Sequence, residues 1–269
     1  MASRDPRALT VDLGHEHLAV LADALQARGL QYERARDTRA VFTLTYSLMT
    51  RQLASSFGTP PDLDWQWIAR IGLNFGNLYL EALDAADGGG TPPPAWAHTF
   101  GVQRTQRTSV LEDLLFPLTV HIVRDLPHAL CAAGLHVQGQ PRLREYHHVN
   151  DVLGDALEAV QSTIATRYGP FTAYLDMFAG GSDEILSNFG FRVSRSVAWY
   201  NANRLLDPDS REAALRSIER SPRIFIEAVM NPRRRTLHFL FRVMRLVSSL
   251  VRRWPTDPIA GGVLPVNRA

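Results

Sequence analysis

Long helix-type segments separated by proline and glycine limit this chain more than any other feature of its sequence. Residues 36–53, for example, place Phe42, Tyr46, Met49 and Leu53 at steps of three and four residues, which is the spacing of one helix face. Comparable segments cover residues 11–29, 62–86, 108–134, 143–169, 182–206 and 231–254, with two short helices predicted between the last two. No segment alternates apolar and polar residues as a half-buried strand does. The sequence therefore predicts an all-α fold.

The strongest break between the predicted helices lies at residues 87–95, where three glycines precede three prolines. Clusters of glycine and proline of this kind form loops. Since apolar helices are predicted on both sides, we interpret the break as a surface loop within one bundle-like helical domain that covers residues 1–269. We expect a short irregular tail at residues 255–269.

Capping residues and prolines predict where the helices begin, end or bend. Asp12 is an N-cap signal and Gly29 is a stop signal for the first helix, and Ser182 is an N-cap signal for a later one. Pro117 and Pro127 interrupt the apolar helical segment at residues 108–134. A proline inside a helix removes one backbone hydrogen bond, so we expect that helix to weaken or turn near Pro127.

The composition excludes several classes of function. All 29 basic residues are arginine, because the chain contains no lysine. A P-loop with its Gly-Lys-Ser/Thr ending is therefore impossible, and so is pyridoxal phosphate or other Schiff-base chemistry that needs a lysine of the protein. The net charge of +2 does not indicate a nucleic-acid-binding protein.

The sequence also bears on where the protein works. The N-terminal residues lack the apolar core of a secretory signal, and no apolar run is long enough to predict a transmembrane segment. The single cysteine, Cys131, excludes an internal disulfide. We therefore expect a cytoplasmic protein.

The last predicted helix, within residues 231–254, allows two interpretations. Its apolar residues recur every three or four positions with arginines between them. They are Leu237, Leu240, Met244, Val247, Val251 and Trp254. Such a helix either packs into the core or docks as a basic amphipathic helix on a membrane or a partner. Its wide apolar arc favours packing.

An apolar segment at residues 118–130, LTVHIVRDLPHAL, contains a polar pair. His121 and Asp125 lie four residues apart and share one helix face with His128. In one interpretation this face is a solvated stripe, in which the pair contributes a few tenths of a kcal/mol. In the other, the face lines an internal cavity or binds a metal.

Other motifs of metal or acyl-transfer chemistry are incomplete. Glu145 and His148 form one Glu-x-x-His pair of the kind found in di-iron helical bundles, but such a site needs two copies. His15 and His17 lack the spacing of a zinc-protease helix, and the Gly-x-Ser-x-Gly turn of α/β-hydrolases is absent. None of these motifs predicts a specific reaction.

The order of several segments resembles a family of helical proteins, found mainly in bacteria, that is known only as a domain of unknown function. The segments that carry the resemblance are YSLMT, WAHTF, LTVHIVRDLPHAL, EYHHVNDVL and RSVAWYNA, and they span most of residues 32–205. The sequence departs from the family pattern at Thr119, where an amide is expected, and at Glu145, where an aspartate is common. The resemblance implies a helical fold and a pocket, but no known reaction.

The resemblance also points to a set of site residues. They are His121, Asp125, Glu145, Asn150, Arg195 and Trp199. If the polar pair faces inward, Asp125 would fix the tautomer of His121 and make the imidazole a general base. Alternatively, His121, Asp125 and Glu145 would bind one divalent metal ion.

The remaining residues of the set, together with Tyr46, are expected to bind the substrate. Arg195 would hold an anionic group, and Tyr46, Asn150 and Trp199 would contact the rest of the molecule. We therefore expect an enzyme that acts on a small or lipid-like organic substrate by acid–base or metal-assisted chemistry, as in the tailoring of secondary metabolites. The alternative is a non-catalytic helical protein that binds a ligand or a partner.

Overall fold

The fold is almost entirely helical, as the sequence predicts. The computed structural model describes residues 13–105, 107–169 and 188–255. The helices within these ranges are α1 (His15–Arg34), α2 (Arg39–Ser55), α3 (Trp65–Asp87), α4 (Pro94–Thr105), α5 (Val110–Val120), a π-helix (His121–Asp125), α6 (Leu126–Ala133), α7 (Leu143–Tyr168), α8 (Asn188–Leu206), α9 (Arg211–Met230) and α10 (Arg235–Val251). Between α6 and α7, the strands β1 (His136–Val137) and β2 (Gln140–Pro141) form a small antiparallel pair. The all-α prediction is confirmed.

The sequence predicts that the first helix ends at Gly29, but the helix continues to Arg34. A Cβ atom at Gly29 would lie 2.7 Å from the side chain of Leu44 on α2. The missing side chain lets α1 and α2 approach each other closely, so this glycine serves helix packing and does not end the helix. The prediction that Gly29 ends the first helix is therefore wrong.

The predicted helix N-caps are not among the helix ends that the structure describes. The N-cap of α1 is Gly14, and the predicted caps Asp12 and Ser182 lie outside the described residues.

The two short helices predicted before residue 231 are one helix, α9, which is 20 residues long. Pro222 lies inside α9 and is buried, so packing offsets the backbone hydrogen bond that the proline removes.

The predicted loop at residues 87–95 is present. Helix α3 ends at Asp87, and α4 begins at Pro94, which is a favourable position for proline because the first turn needs no internal N–H donor there. Residues 88–91 between them are exposed. The predicted tail at 255–269 lies outside the described residues beyond Pro255.

Two clusters of buried apolar side chains form the interior. The first lies mainly between α1, α2, α3, α4, α5 and α7, and the second lies mainly between α3, α6, α7 and α8. Leu73 and Leu118 pack against both clusters. The largest buried side chains of the two clusters are Trp67, Trp96, Tyr79, Tyr146, Tyr168, Phe42 and Phe116. The interior is therefore rich in aromatic rings.

The helix that carries the polar pair changes its geometry, as the prolines predict. The N–H of Leu126 bonds to the carbonyl oxygen of His121, five residues back, so residues 121–125 form a π-helix. Pro127 has no N–H to donate, and its ring crowds the carbonyl group four residues back. A wider turn accommodates that ring, and such turns are frequent at functional sites.

Helix α10 packs against the body of the protein through one narrow face. Met244 and Ser248 are buried, and the Ser248 hydroxyl accepts a hydrogen bond from the N–H of Val110. Leu237 and Val251, which the packing interpretation assigns to the core, remain 38% and 41% exposed. No helix in the described part of the chain is both long enough and apolar enough to cross a bilayer.

Replacing Gly29 with alanine is expected to destabilise the protein. The new Cβ would overlap with the Leu44 side chain, and overpacking of this kind costs about 1–3 kcal/mol of unfolding free energy. Gly101→Ala in α4 is the matched control, because no atom lies within 4 Å of a Cβ there. Because alanine has a higher helix propensity than glycine, this control should raise the unfolding free energy by up to about 1 kcal/mol. Urea denaturation of both variants measures the two effects, and equal stabilities would contradict the role given to Gly29.

Candidate functional site

The polar pair of the π-helix is buried. His121 and Asp125 are 1% and 0% exposed, and the Nδ1 atom of His121 lies 2.9 Å from the Oδ2 atom of Asp125. A solvated stripe would leave both side chains open to water. The structure therefore contradicts the solvated interpretation of these two residues and agrees with the inward-facing one.

The Asp125 carboxylate accepts hydrogen bonds from three side chains. Besides His121, the indole Nε1 of Trp96 donates to Oδ2 at 3.0 Å, and the guanidinium of Arg124 donates to Oδ1. Because both oxygens act as acceptors, His121 carries its proton on Nδ1. In the neutral imidazole this leaves the lone pair on Nε2.

Arg124 also fixes the carboxylate by pairing with a second acid. Its Nε atom lies 2.6 Å from Oε1 of Glu219 on α9, and Oε2 of Glu219 accepts the N–H of Ala95 in the first turn of α4 at 2.9 Å. Since Trp96 follows Ala95, the helix that supplies the indole is held by the same acid. The buried charge of Asp125 is thus satisfied from two directions.

Aromatic rings enclose the imidazole of His121. The ring of Phe75 stacks on it with 3.5 Å between centroids and 7° between planes, and the ring of Tyr46 meets it edge-on at 4.6 Å. Three more rings lie within 6.2 Å of its centroid, those of Phe42, Tyr79 and Trp96. The Nε2 atom is buried and has no hydrogen-bond partner among the described residues.

This enclosure keeps His121 neutral. Burial lowers the pKa of His121 below its ordinary value, and the positive charges of Arg195 and Arg124 lower it further. The hydrogen bond and the negative charge of Asp125 oppose the shift without reversing it. At neutral pH the imidazole is therefore an uncharged base with an unoccupied lone pair.

His121 lines an apolar cavity of about 80 Å³ between α2, α3, α5, the π-helix and α7, and Arg195 on α8 also lines it. A second cavity of about 50 Å³ lies next to it. The two share Tyr46, Met49, Phe75, Leu153 and Arg195 in their walls. Together they approach the ~150 Å³ of an engineered apolar cavity that stays dry and binds benzene.

Arg195 brings a positive charge to the wall that the two cavities share. It is 2% exposed, and its Nε atom donates a hydrogen bond to Oδ1 of Asn150. The Tyr146 ring lies 4.9 Å from its guanidinium carbon, and the Tyr146 hydroxyl donates to the Arg195 carbonyl oxygen at 2.6 Å. Burial lowers the pKa of Arg195, but a guanidinium remains charged at any physiological pH.

Tyr46 is the other residue of the shared wall with a polar group, a hydroxyl that forms a hydrogen bond with the side chain of Thr50. Burial raises the pKa of Tyr46 well above its ordinary value, and the negative charge of Asp125 raises it further. The phenol is therefore neutral and able to donate a hydrogen bond. His121, Tyr46 and Arg195 thus give an otherwise apolar cavity a base, a neutral donor and a cation.

The structure places two of the predicted site residues elsewhere. Glu145 is partly exposed and lines neither cavity, and Trp199 packs against Tyr146 with 4.9 Å between ring centroids. Of the three predicted metal ligands, His121 and Asp125 are in contact, but Glu145 does not join them. Within the described ranges, no group of three or more His, Cys, Asp or Glu side chains could hold a metal ion. Asn150, which was predicted to contact the substrate, also lines neither cavity; it is buried on α7 and accepts a hydrogen bond from Arg195.

Several residues of the site were missed by the sequence analysis. Trp96 follows the loop at residues 87–95, and its only signal was the segment WAHTF. Phe75 and Glu219 gave no signal, because a phenylalanine in an apolar helix and an acid on a polar one are typical of any helical protein. Their roles depend on which helices meet, and periodicity does not report that.

Comparison with known proteins supports the resemblance. The model of a family described as "Family of unknown function (DUF5995)" matches residues 18–232, which include every helix that lines the cavities. No curated protein and no solved structure matches the chain.

The buried imidazole is expected to make the protein less stable at acid pH. In the unfolded chain His121 takes up a proton near pH 6.5, whereas burial lowers its pKa in the folded state. The unfolded state then binds more protons, so the unfolding free energy falls as the pH drops below 6.5, by at most about 1.4 kcal/mol per pH unit for one such group.

Urea denaturation of the parent protein and of His121→Gln between neutral and acid pH measures this contribution. The variant should lose less stability on acidification than the parent. His136→Gln is the control, because His136 lies exposed in β1. A variant at position 121 that retains the parent's full pH dependence would contradict the burial of a neutral imidazole.

Proposed function

The chain belongs to this family of unknown function, so its chemistry has to be inferred from the site, and we propose that it is an enzyme in which His121 acts as a general base. The substrate is a small or lipid-like organic molecule that binds in the apolar cavity. The observation that carries the proposal is the Nε2 atom of His121, which is buried and lacks a hydrogen-bond partner among the described residues.

An unsatisfied polar atom in a protein interior needs a reason. Burying one without a hydrogen bond costs about 1–3 kcal/mol. The described residues contain seven such side-chain atoms, and the Nε2 atom of His121 is the one among them whose residue lines either of the two cavities. Here one nitrogen is held firmly by Asp125, while the other remains open beside a cavity. This arrangement orients the lone pair in advance for a proton of the substrate or of a water molecule that the substrate binds with.

The neighbouring residues have separate roles in this proposal. Asp125 fixes the tautomer of His121 and stabilises the imidazolium that forms after proton transfer. The guanidinium of Arg195, held by Asn150, stabilises the negative charge that develops on the substrate. The Tyr46 hydroxyl donates a hydrogen bond to the same charge. Both effects are strong because the aromatic walls exclude water.

The walls of the cavity define the class of substrate. Apart from the polar groups named above, Thr45 and Gln161, the larger cavity is lined by aliphatic and aromatic side chains. The substrate therefore has an apolar body with one polar or acidic group, and that group lies near His121 and Arg195. Alkyl or aryl chains extend between Met49, Phe75 and Leu153 into the smaller cavity.

The geometry favours acid–base chemistry over the metal-assisted alternative. Of the three side chains considered as metal ligands, only His121 and Asp125 come together. Both carboxylate oxygens of Asp125 already accept hydrogen bonds, from Trp96 and Arg124. A metal ion there would have to displace donors that hold the carboxylate in place.

One observation favours the rival function, a non-catalytic binding protein. Phe75 stacks directly on the imidazole of His121, and such a contact also stabilises a purely structural histidine. In that case the cavity would bind an apolar ligand without changing it. The two functions differ in turnover and in the role of the tautomer, and both can be measured.

Hydrolysis of 4-nitrophenyl esters tests the general base, because this reaction needs only a base that activates water. With acetate, butyrate and hexanoate esters, we expect His121→Gln to lower kcat/KM at least about 100-fold relative to the parent. The parent's kcat/KM should fall only below pH 6.5, because burial lowers the pKa of His121. His136→Gln should retain the parent's rate.

Asp125→Asn separates the base from mere packing. The amide keeps the shape of the carboxylate but donates toward Nδ1, so it moves the imidazole proton to Nε2 and removes the basic lone pair. We expect ¹⁵N NMR to show the Nδ1–H tautomer in the parent and the Nε2–H tautomer in the variant, with a matching loss of kcat/KM. A folded Asp125→Asn or His121→Gln variant that hydrolyses all three esters at the parent's rate would leave only the binding function.

A further inference from the structure

Helix α10 carries two opposite faces, and the described residues of the chain cover only one of them. The inner face is fixed to α5 by buried ion pairs. Arg245 binds Glu112 with 2.6 Å between Nη2 and Oε1, and Arg252 binds the fully buried Asp113. Burial raises the pKa of Asp113 to about 6, and the positive charge of Arg252 opposes this shift. These contacts determine which side of the helix faces away from the protein.

The outward side of α10 is apolar. Phe239, Val243, Leu246 and Leu250 are 70%, 38%, 53% and 77% exposed. At 100° per residue these four side chains fall within about 60° of one another, roughly opposite Met244. We call them the outer stripe. A surface helix normally presents polar residues on this side, and contiguous exposed apolar patches mark interaction sites.

The surroundings of the outer stripe are strongly basic. Residues 231–254 contain seven arginines and no acidic residue. Arg233, Arg234, Arg235 and Arg242 are exposed, and Arg235 and Arg242 follow the stripe along one edge. A groove of about 1000 Å³ follows the stripe, and its wall contains Phe239, Val243 and Leu246 of the stripe together with Arg107, Arg233, Arg235, Arg242 and Arg245. The apolar stripe therefore lies next to a concentration of positive charge.

From this combination we propose that α10 docks the protein on an anionic lipid bilayer. The helix lies in the plane of the surface, with the outer stripe among the acyl chains and with Arg235 and Arg242 at the lipid phosphates. A second copy of the chain is a poor occupant, because residues 231–254 contain seven arginines and no acidic residue, so a symmetric contact between two α10 helices supplies no opposite charge. A bilayer supplies the apolar layer and the negative charges together.

Docking of this kind needs no membrane-spanning segment and does not depend on the chemistry of His121. The inner contacts of Arg245 and Arg252 remain intact, because the lipid meets the opposite side of the helix. The protein would bind reversibly, since one short amphipathic helix buries a limited apolar area. High salt should weaken the binding by screening the arginines.

Sedimentation of the full chain with lipid vesicles tests the proposal. We expect the protein to pellet with vesicles of equimolar phosphatidylcholine and phosphatidylglycerol at low salt, and to remain in solution with phosphatidylcholine alone. Arg235→Gln and Arg242→Gln should each weaken binding to the anionic vesicles about fivefold. Leu246→Ser combined with Leu250→Ser should weaken it at least about tenfold.

Matched controls carry the same changes on other helices. Val20→Ser removes an apolar side chain that is 67% exposed on α1, and Arg34→Gln and Arg70→Gln remove exposed charges on α1 and α3. These variants should bind anionic vesicles like the parent, and circular dichroism should show that all variants are folded.

Three results would overturn the proposal. They are an absence of binding to the anionic vesicles, equal binding to both kinds of vesicle, and outer-stripe variants that bind like the controls. Light scattering tests whether a second copy of the chain, and not a bilayer, covers the outer stripe. If the parent is a dimer and Leu246→Ser with Leu250→Ser makes it a monomer, without any vesicle binding by the parent, the outer stripe is a contact between two copies of the chain.

Discussion

The carboxylate of Asp125 is the interaction on which the arrangement of the site depends. A fully buried charge is tolerated only when its oxygens are satisfied, and here the donors come from His121, Trp96 and Arg124. Arg124 binds Glu219, and Glu219 accepts the first N–H donor of α4, the helix that supplies Trp96. The π-helix, α4 and α9 are thus joined by a closed set of hydrogen bonds. If any one of them moved away, Asp125 or Arg124 would lose a hydrogen-bond partner, or Glu219 would lose the one from α4.

The chemistry of the site follows from what surrounds this carboxylate. Aromatic rings remove water from His121 and hold its imidazole neutral, while Asp125 directs the lone pair to Nε2. Arg195 adds a positive charge at the same wall, positioned by Asn150. His121 and Arg195 both line one apolar cavity, where electrostatic interactions are stronger than in water because the local dielectric constant is low.

The need to pair buried carboxylates with donors or cations also determines how the C-terminal helix α10 packs. Glu112 and Asp113 are buried at the start of α5, and they need the cations that Arg245 and Arg252 provide. These pairs fix the rotation of α10 and leave its other apolar residues outside. Helix α5 and the π-helix form one continuous segment. Near its beginning this segment binds α10 through Glu112 and Asp113, and its other end carries His121. Buried acids at both ends decide how the neighbouring helices are placed.

The sequence by itself determined the helical fold, the loop at residues 87–95 and the contact between His121 and Asp125, because these depend on spacing along one chain segment. It also excluded lysine chemistry, since composition needs no structure. Only the tertiary structure decided that this polar pair is buried, that Trp96 and Phe75 complete its surroundings, and that Glu145 and Trp199 lie elsewhere. The pattern of a helix shows which residues share a face, but a face becomes interior only when another helix covers it. The choice of that helix is made by the packing of the whole chain.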